Sequence, residues 1–477
     1  MSGTSVLRTG LGAAALAVSV TPSWASDAAA PHLNGAELGV MWAVPFIGIL
    51  LSIAVLPLAT PHFWHRNYGK ISVLWSLAFL GPFAVFHGAE LAAAEFAHVM
   101  LLDFVPFMIL LLAPYTMSGG VLISGRIQGT PLLNTSILAG ATAVAGLAGT
   151  TGASVLFIRP LLRANAGRKY NAHVVIFFIF LVSNLGGALT PLGPPLSMGF
   201  LKGVDFFWPT MNLWQPTLVV GAILLAVFFV LDTMLGGAKP DAKPASDWPD
   251  AAGVKVKGGL NIVLLLLVPA VILASAMWQT DIRLEIAGVD LSLPEIARNL
   301  ALLLLAAISL MFTPLDNRTG NEFTWGPMTE VAKLFFGIFV TMVPILAMMR
   351  AGTEGAFAPL LALLTGADGQ PNNAMYFWLT GGLSSFLDNA PTYLVFFNAA
   401  GGDPAQLMGA LATTLAAISF GAVAMGANTY IGNAPNFMVK AIAEESGVKM
   451  PSFFGYMAWS TIILLPIFAL VTWLFFR

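Results

Sequence analysis

Four groups of short polar side chains interrupt otherwise apolar stretches of this 477-residue chain. The first is Thr150, Thr151 and Ser154, and the second is Ser183 and Asn184 with Thr190. The third comprises Ser384, Ser385, Asp388, Asn389 and Thr392, and the fourth Asn428 and Thr429 with Asn433 and Asn436. Hydroxyls, side-chain amides and freed backbone carbonyls are hard oxygen donors, suited to Na⁺ rather than to a transition metal. A single Thr or Asn in an apolar helix more often glues helices together or satisfies a broken backbone. Four such groups at matched interruptions point to binding instead.

Asp388 carries the sharpest signal. A carboxylate costs about 2.5–3.5 kcal/mol at the centre of a membrane helix on insertion scales, so its retention argues for function. A buried acid can hold a proton and release it when a cation ligates the same oxygens. Asp388, Asn389 and Asn428 are thus the expected Na⁺ ligands, and Asp388 is the expected proton carrier, with Asp103 as a second candidate. The nearby cations Arg159, Lys202 and Lys440 are expected at the ends of their elements. The six His are expected mostly in loops and show no metal-site spacing. No Cys is present, which excludes disulfides and thiolate chemistry, and no GxSxG, Walker or HExxH pattern occurs.

These residues need a lipid-embedded framework. The chain is 57% hydrophobic and only 9% charged, against about 25% charged residues in a typical soluble domain. A net charge of -2 gives no reason to expect a nucleic-acid partner. Ten apolar spans are expected, near 39–60, 70–88, 98–124, 171–200, 212–234, 259–279, 295–313, 329–350, 407–440 and 452–476. Two further stretches, 132–165 and 374–400, are broken in the middle. Neither half of either stretch is long enough for roughly 30 Å of hydrocarbon, so each reads as a re-entrant hairpin. The 47 Gly and 30 Pro fall often inside apolar runs, where broken backbone is tolerated only within protein or along a cavity.

Charge placement orients the chain. With the mature N-terminus outside, 15 of the 21 Lys and Arg fall on the inner side, as the positive-inside rule requires. Arg126 and the Arg163, Arg168 and Lys169 group bracket the first hairpin. Residues 1–25 read as a signal peptide, with Arg8, the apolar stretch Leu11–Val20 and a Ser23-Trp24-Ala25 cleavage site. Residues 26–234 form an N-terminal membrane repeat, 235–258 a cytoplasmic linker rich in Pro, Ala, Lys and Asp, and 259–477 a C-terminal repeat. Thr190-Pro191-Leu192-Gly193 parallels Thr429-Tyr430-Ile431-Gly432 at an offset of 429 − 190 = 239. Thr150 parallels Asp388 at 388 − 150 = 238. An odd number of crossings between the halves inverts the second. The expected fold is therefore an all-α polytopic membrane protein, an inverted-topology repeat with two re-entrant hairpins and two discontinuous helices. That is an architecture of alternating access with a midplane site.

The segments Pro57–Lys70, Ser183–Pro195, Ser385–Thr392 and Gly426–Asn433 resemble the ion-transporter superfamily that groups NhaD-type sodium/proton antiporters, citrate and dicarboxylate transporters, and arsenite permeases. The similarity is greatest to the NhaD-like and putative citrate-transport branch. It implies a scaffold and a transport domain, usually in a homodimer, with the hairpins and broken helices carrying the site. The dicarboxylate branch has Ser-Asn-Thr at each of two sites; here the first hairpin has Gly-Thr-Thr, and the second half has Asp388-Asn389-Ala390 and Asn428-Thr429. The expectation is a multi-pass sodium/proton antiporter of the bacterial inner membrane. Its alternative is a cation-coupled citrate or related carboxylate transporter. No cofactor is expected, Na⁺ and H⁺ being transported ions, and the expected partners are the lipid bilayer and the small ions or carboxylate carried. An intramembrane enzyme would need a nucleophile–base pair, which the sequence does not offer.

Overall fold

The computed structural model describes residues 33–124, 128–192, 195–235 and 255–477. The expected signal peptide, Arg126 and most of the linker lie outside them. The rest is built almost entirely of helices, because backbone in lipid must satisfy its own N–H and C=O groups. Among the described residues eight helices are long and apolar enough to cross a membrane. The chain is a polytopic, all-α membrane protein.

The helices follow one plan twice. The first half holds α1 (Val40–Ala59), α2 (Pro61–His87) and α3 (Ala89–Ser118). A helix–turn–helix, α4 (Pro131–Ala148) and α5 (Thr150–Ala164), comes next. An interrupted helix, α6 (Ala172–Ala188) and α7 (Leu196–Leu201), and a long α8 (Trp208–Met234) complete it. The second half repeats the order with α9 (Gly259–Met277), α10 (Leu293–Phe312) and α11 (Gly326–Arg350). It closes with α12 (Asn373–Ser384), α13 (Asn389–Ala399), α14 (Ala412–Asn428), α15 (Ala434–Glu445) and α16 (Phe453–Phe475). At 1.5 Å per residue the arms α12 and α13 reach only about 16–18 Å, well short of a span. At the end of the linker, Lys255–Lys257 forms a strand paired antiparallel with Leu122–Ser124.

Packing interlocks the halves. In the first hairpin, α4 packs on the interrupted α6 of its own half, while α5 packs on α15 of the other. In the second, α12 packs on α14, and α13 on α7. Around this group stand α1–α3 and α8–α11. Of the eight long helices, α11 is 78% buried against 17–33% for the others, so it runs through the centre while they face lipid. Phe107 of α3 stacks on Phe335 of α11 at 5.1 Å, one of several ring contacts that seat it.

Candidate functional site

The first hairpin turns at Gly149, whose φ of +79° favours glycine. Gly149 is also the N-cap of α5, so no side chain covers the N-terminus of that helix. The break in α6 closes on this tip. Thr190 Oγ1 donates to Gly146 O at 2.5 Å. A Cβ on Gly187 would come within 2.8 Å of the Thr150 methyl, so the bare Gly187 backbone seats that side chain. Thr150, Thr151 and Leu192 border a cavity of about 30 Å³, closed from the scaffold by Pro114 and Val268. That volume holds about one water-sized species.

The second hairpin has the same contact with more chemistry. Ser385 Oγ donates to Gly381 O at 2.8 Å or to Met425 O at 3.1 Å, and it accepts from Asn428 Nδ2 at 3.0 Å. Thr429 Oγ1 donates to Ser385 O and accepts from the N–H groups of Ile431 and Gly432 at 3.2 and 3.1 Å. Asp388 is the N-cap of α13, and its carbonyl accepts from Thr392 Oγ1 at 3.0 Å. An acid at a helix N-terminus meets the positive end of the helix dipole. Oδ1 of Asn389, the first residue of α13, and Oδ1 of Asn428, whose amide reaches Ser385 at the same tip, are buried with no donor. A buried acceptor left unmatched costs about 1–3 kcal/mol, so two of them at a hairpin tip that also carries an acid suit a cation.

Amides join the halves. Asn184 Nδ2 donates to Asn436 Oδ1 at 2.7 Å and to Ile179 O at 2.8 Å, five residues back. That second bond fits the π-type turn of Ile179–Asn184, which widens α6 just before its break. Asn433 Nδ2 donates to Ser183 O at 2.8 Å, and the Ser183 and Ser154 hydroxyls are 2.9 Å apart. Tyr456 and Ser460 of α16, which the sequence did not single out, hold the carbonyls of Ala427 and Asn428 at 2.8 Å each. Nothing in a uniformly apolar span marks such residues.

Other expectations need correction. Asp103 lies in the third span, as expected, on the π-type turn Val99–Phe104 within α3. Lys202 caps α7 as expected. Arg159 instead lies inside α5, 5% exposed, with its guanidinium over Tyr115 and Phe323. Lys440 lies within α15, paired with Glu444 at 2.6 Å. Five His (His62, His65, His87, His98 and His173) are helical rather than in loops, and His32 lies outside the described residues. The buried His173 meets the Asp232 carboxylate at 2.7 Å, where Arg168 at 2.6 Å and Asn134 at 3.0 Å also bind it.

Residues 35–476 match the family model described as "Putative citrate transport". The chain belongs to that family. Membership in this transport family, with eight helices long and apolar enough to cross a membrane among the described residues, points to a secondary transporter. A search of curated proteins finds no match to it.

Proposed function

We propose that this member of the family exchanges Na⁺, or Li⁺, for H⁺ by alternating access, with Asp388 as the group both ions share. The observation that carries this reading is the pair of unmatched oxygens on Asn389 and Asn428 at the hairpin tip where Asp388 caps α13. A cation bound to the carboxylate and these oxygens would displace the proton, and protonation would release the cation. The acid's own charge already answers the N-terminus of α13, which leaves little attraction there for an anionic substrate. In this reading both hairpins are re-entrant, the halves are inverted in a bacterial inner membrane, and two copies form a homodimer. Purified protein in liposomes tests it: an imposed Na⁺ gradient should drive a change in internal pH. Asp388→Asn, which keeps the shape and removes the charge, should abolish that change.

The family description supports a second reading, cation-coupled citrate transport. The uncovered N-terminus of α5 at Gly149, open to the small cavity, is where a carboxylate would be held. Uptake of labelled citrate, with no Na⁺-driven pH change, would replace the first reading by this one.

A further inference from the structure

Residues Leu33–Gly35 lie over a cavity of about 440 Å³ between α3 and α11. Its polar lining is Asn34, Glu95, His98, Asp103 and Arg350; Phe339 and Val343 of α11 are among its apolar wall residues. The volume is many times the roughly 30 Å³ share of one water, so a cation can enter with water still bound. Glu95 accepts from the N–H of Leu33 at 3.2 Å and so ties the covering segment to α3. One of its oxygens is thereby engaged. Asp103 stays accessible and, among the described residues, makes no hydrogen bond or ion pair. The π-type turn Val99–Phe104 carries Asp103 part-way along α3, beyond Glu95 and His98 and just before its apolar stretch.

The cavity also points toward the hairpin site. Its wall helix α11 packs on α13, the helix that Asp388 caps. The lining sets two carboxylates, Glu95 and Asp103, against the one guanidinium of Arg350. An excess of carboxylates in a low-dielectric cleft biases its field toward cations and raises their local concentration.

We propose that this cavity is a loading vestibule for a hydrated cation, with Asp103 drawing the ion in from the face that carries residues 33–35 and passing it toward Asp388. The assignment deepens the cation/proton reading and rests on it. Asp103 is a steering residue here, while Asp388 remains the exchange site. Access is therefore one-sided: the vestibule serves one face of the membrane and the opposite face must load by another route.

Two experiments on the full chain test this. In liposomes with the protein in one known orientation, Asp103→Asn should raise the apparent KM for Na⁺ offered on the 33–35 side by roughly tenfold. The KM from the opposite side should stay unchanged. An equal rise from both sides, or none from either, overturns the vestibule. A Na⁺ gradient that moves no protons in the unmodified protein overturns the exchange reading instead. The second test does not depend on transport. In this cysteine-free chain, Val343→Cys should react with a membrane-impermeant thiol reagent from the 33–35 side only. Na⁺ should slow that reaction when Asp103 is present and leave it unaffected in the Asp103→Asn background. Labelling from the other face, or protection by Na⁺ without Asp103, sinks the proposal.

Discussion

The hydroxyl of Thr190 donates to the backbone carbonyl of Gly146, at 2.5 Å. The bond recurs between Thr429 and Ser385, with both partners displaced by the same number: 429 − 190 = 239 and 385 − 146 = 239. In each half a threonine at the helix break locks onto the last carbonyls of the neighbouring hairpin arm. The N-caps of α5 and α13 share the offset too, since 388 − 149 = 239. Asp388 therefore corresponds to Gly149, and Thr150 to Asn389, one residue away from the pairing that the sequence motifs suggest.

This duplicated bond predicts unequal losses. Thr190→Val removes one hydrogen bond, whereas Thr429→Val also strips the acceptor used by Ile431 and Gly432. Leaving buried groups unmatched costs about 1–3 kcal/mol each. The detergent-solubilised protein should melt lower for both variants, and by a clearly larger margin for Thr429→Val. Equal shifts would show that the extra acceptor role contributes nothing.

Gly432 should tolerate no side chain. A Cβ there would sit 2.6–2.9 Å from the carbonyl oxygens of Gly426, Ser384 and Ser385, all of them backbone. Gly432→Ala should therefore separate the second tip from its break and abolish transport. Gly382→Ala, where a Cβ meets nothing within 4 Å, should be neutral or stabilise α12 by about 0.5–1 kcal/mol. Thermal melts and flux assays on the two variants check the contrast.

Asn184 is the amide that joins the two broken helices. Asn184→Ala leaves Asn436 without its donor and Asn433 without one of its acceptors. A loss of roughly 2 kcal/mol in stability is expected, with coupling energy in a double-mutant cycle against Asn436→Ala. Strict additivity of the two variants would contradict a direct interaction.

The Asp232 network should be structural. Asp232→Ala leaves the buried Arg168 guanidinium and the Asn134 amide without their carboxylate. Removing one partner of a buried pair costs about 3–5 kcal/mol. Low yield and a depressed melting temperature are expected from expression and calorimetry, whereas a stable protein with altered transport alone would assign these residues to the ion path.

Proton competition predicts the pH response. If H⁺ and Na⁺ share Asp388, raising the pH removes the competitor and lowers the apparent KM for Na⁺. The maximal rate should change less. A KM independent of pH in liposomes would separate the two ions.

Much of this was legible in the residues. Apolar runs near 20 residues fixed the spans, and Gly149, Thr190-Pro191 and Asn433-Ala434-Pro435 marked the breaks, because Gly and Pro interrupt helices locally. The π-type turns at Val99–Phe104 and Ile179–Asn184 left no mark, since one extra residue per turn does not alter an apolar run. His173 and Asp232 are 59 residues apart in the chain (232 − 173 = 59), and only tertiary packing shows that they meet. Arg159 reads as an end-of-helix cation from charge alone. Its place inside α5 depends on Tyr115 and Phe323, which other elements supply.

The unlike caps of two like hairpins, Gly149 and Asp388, also bear on voltage. The repeat copies the shape of the tip but not its charge, so one tip holds an acid and the other holds none. A carrier whose two ions take turns on a single carboxylate moves one positive charge out for each one in. In the exchange reading the cycle would therefore be electroneutral: the ion gradients would drive it, and the membrane potential would neither push nor brake it.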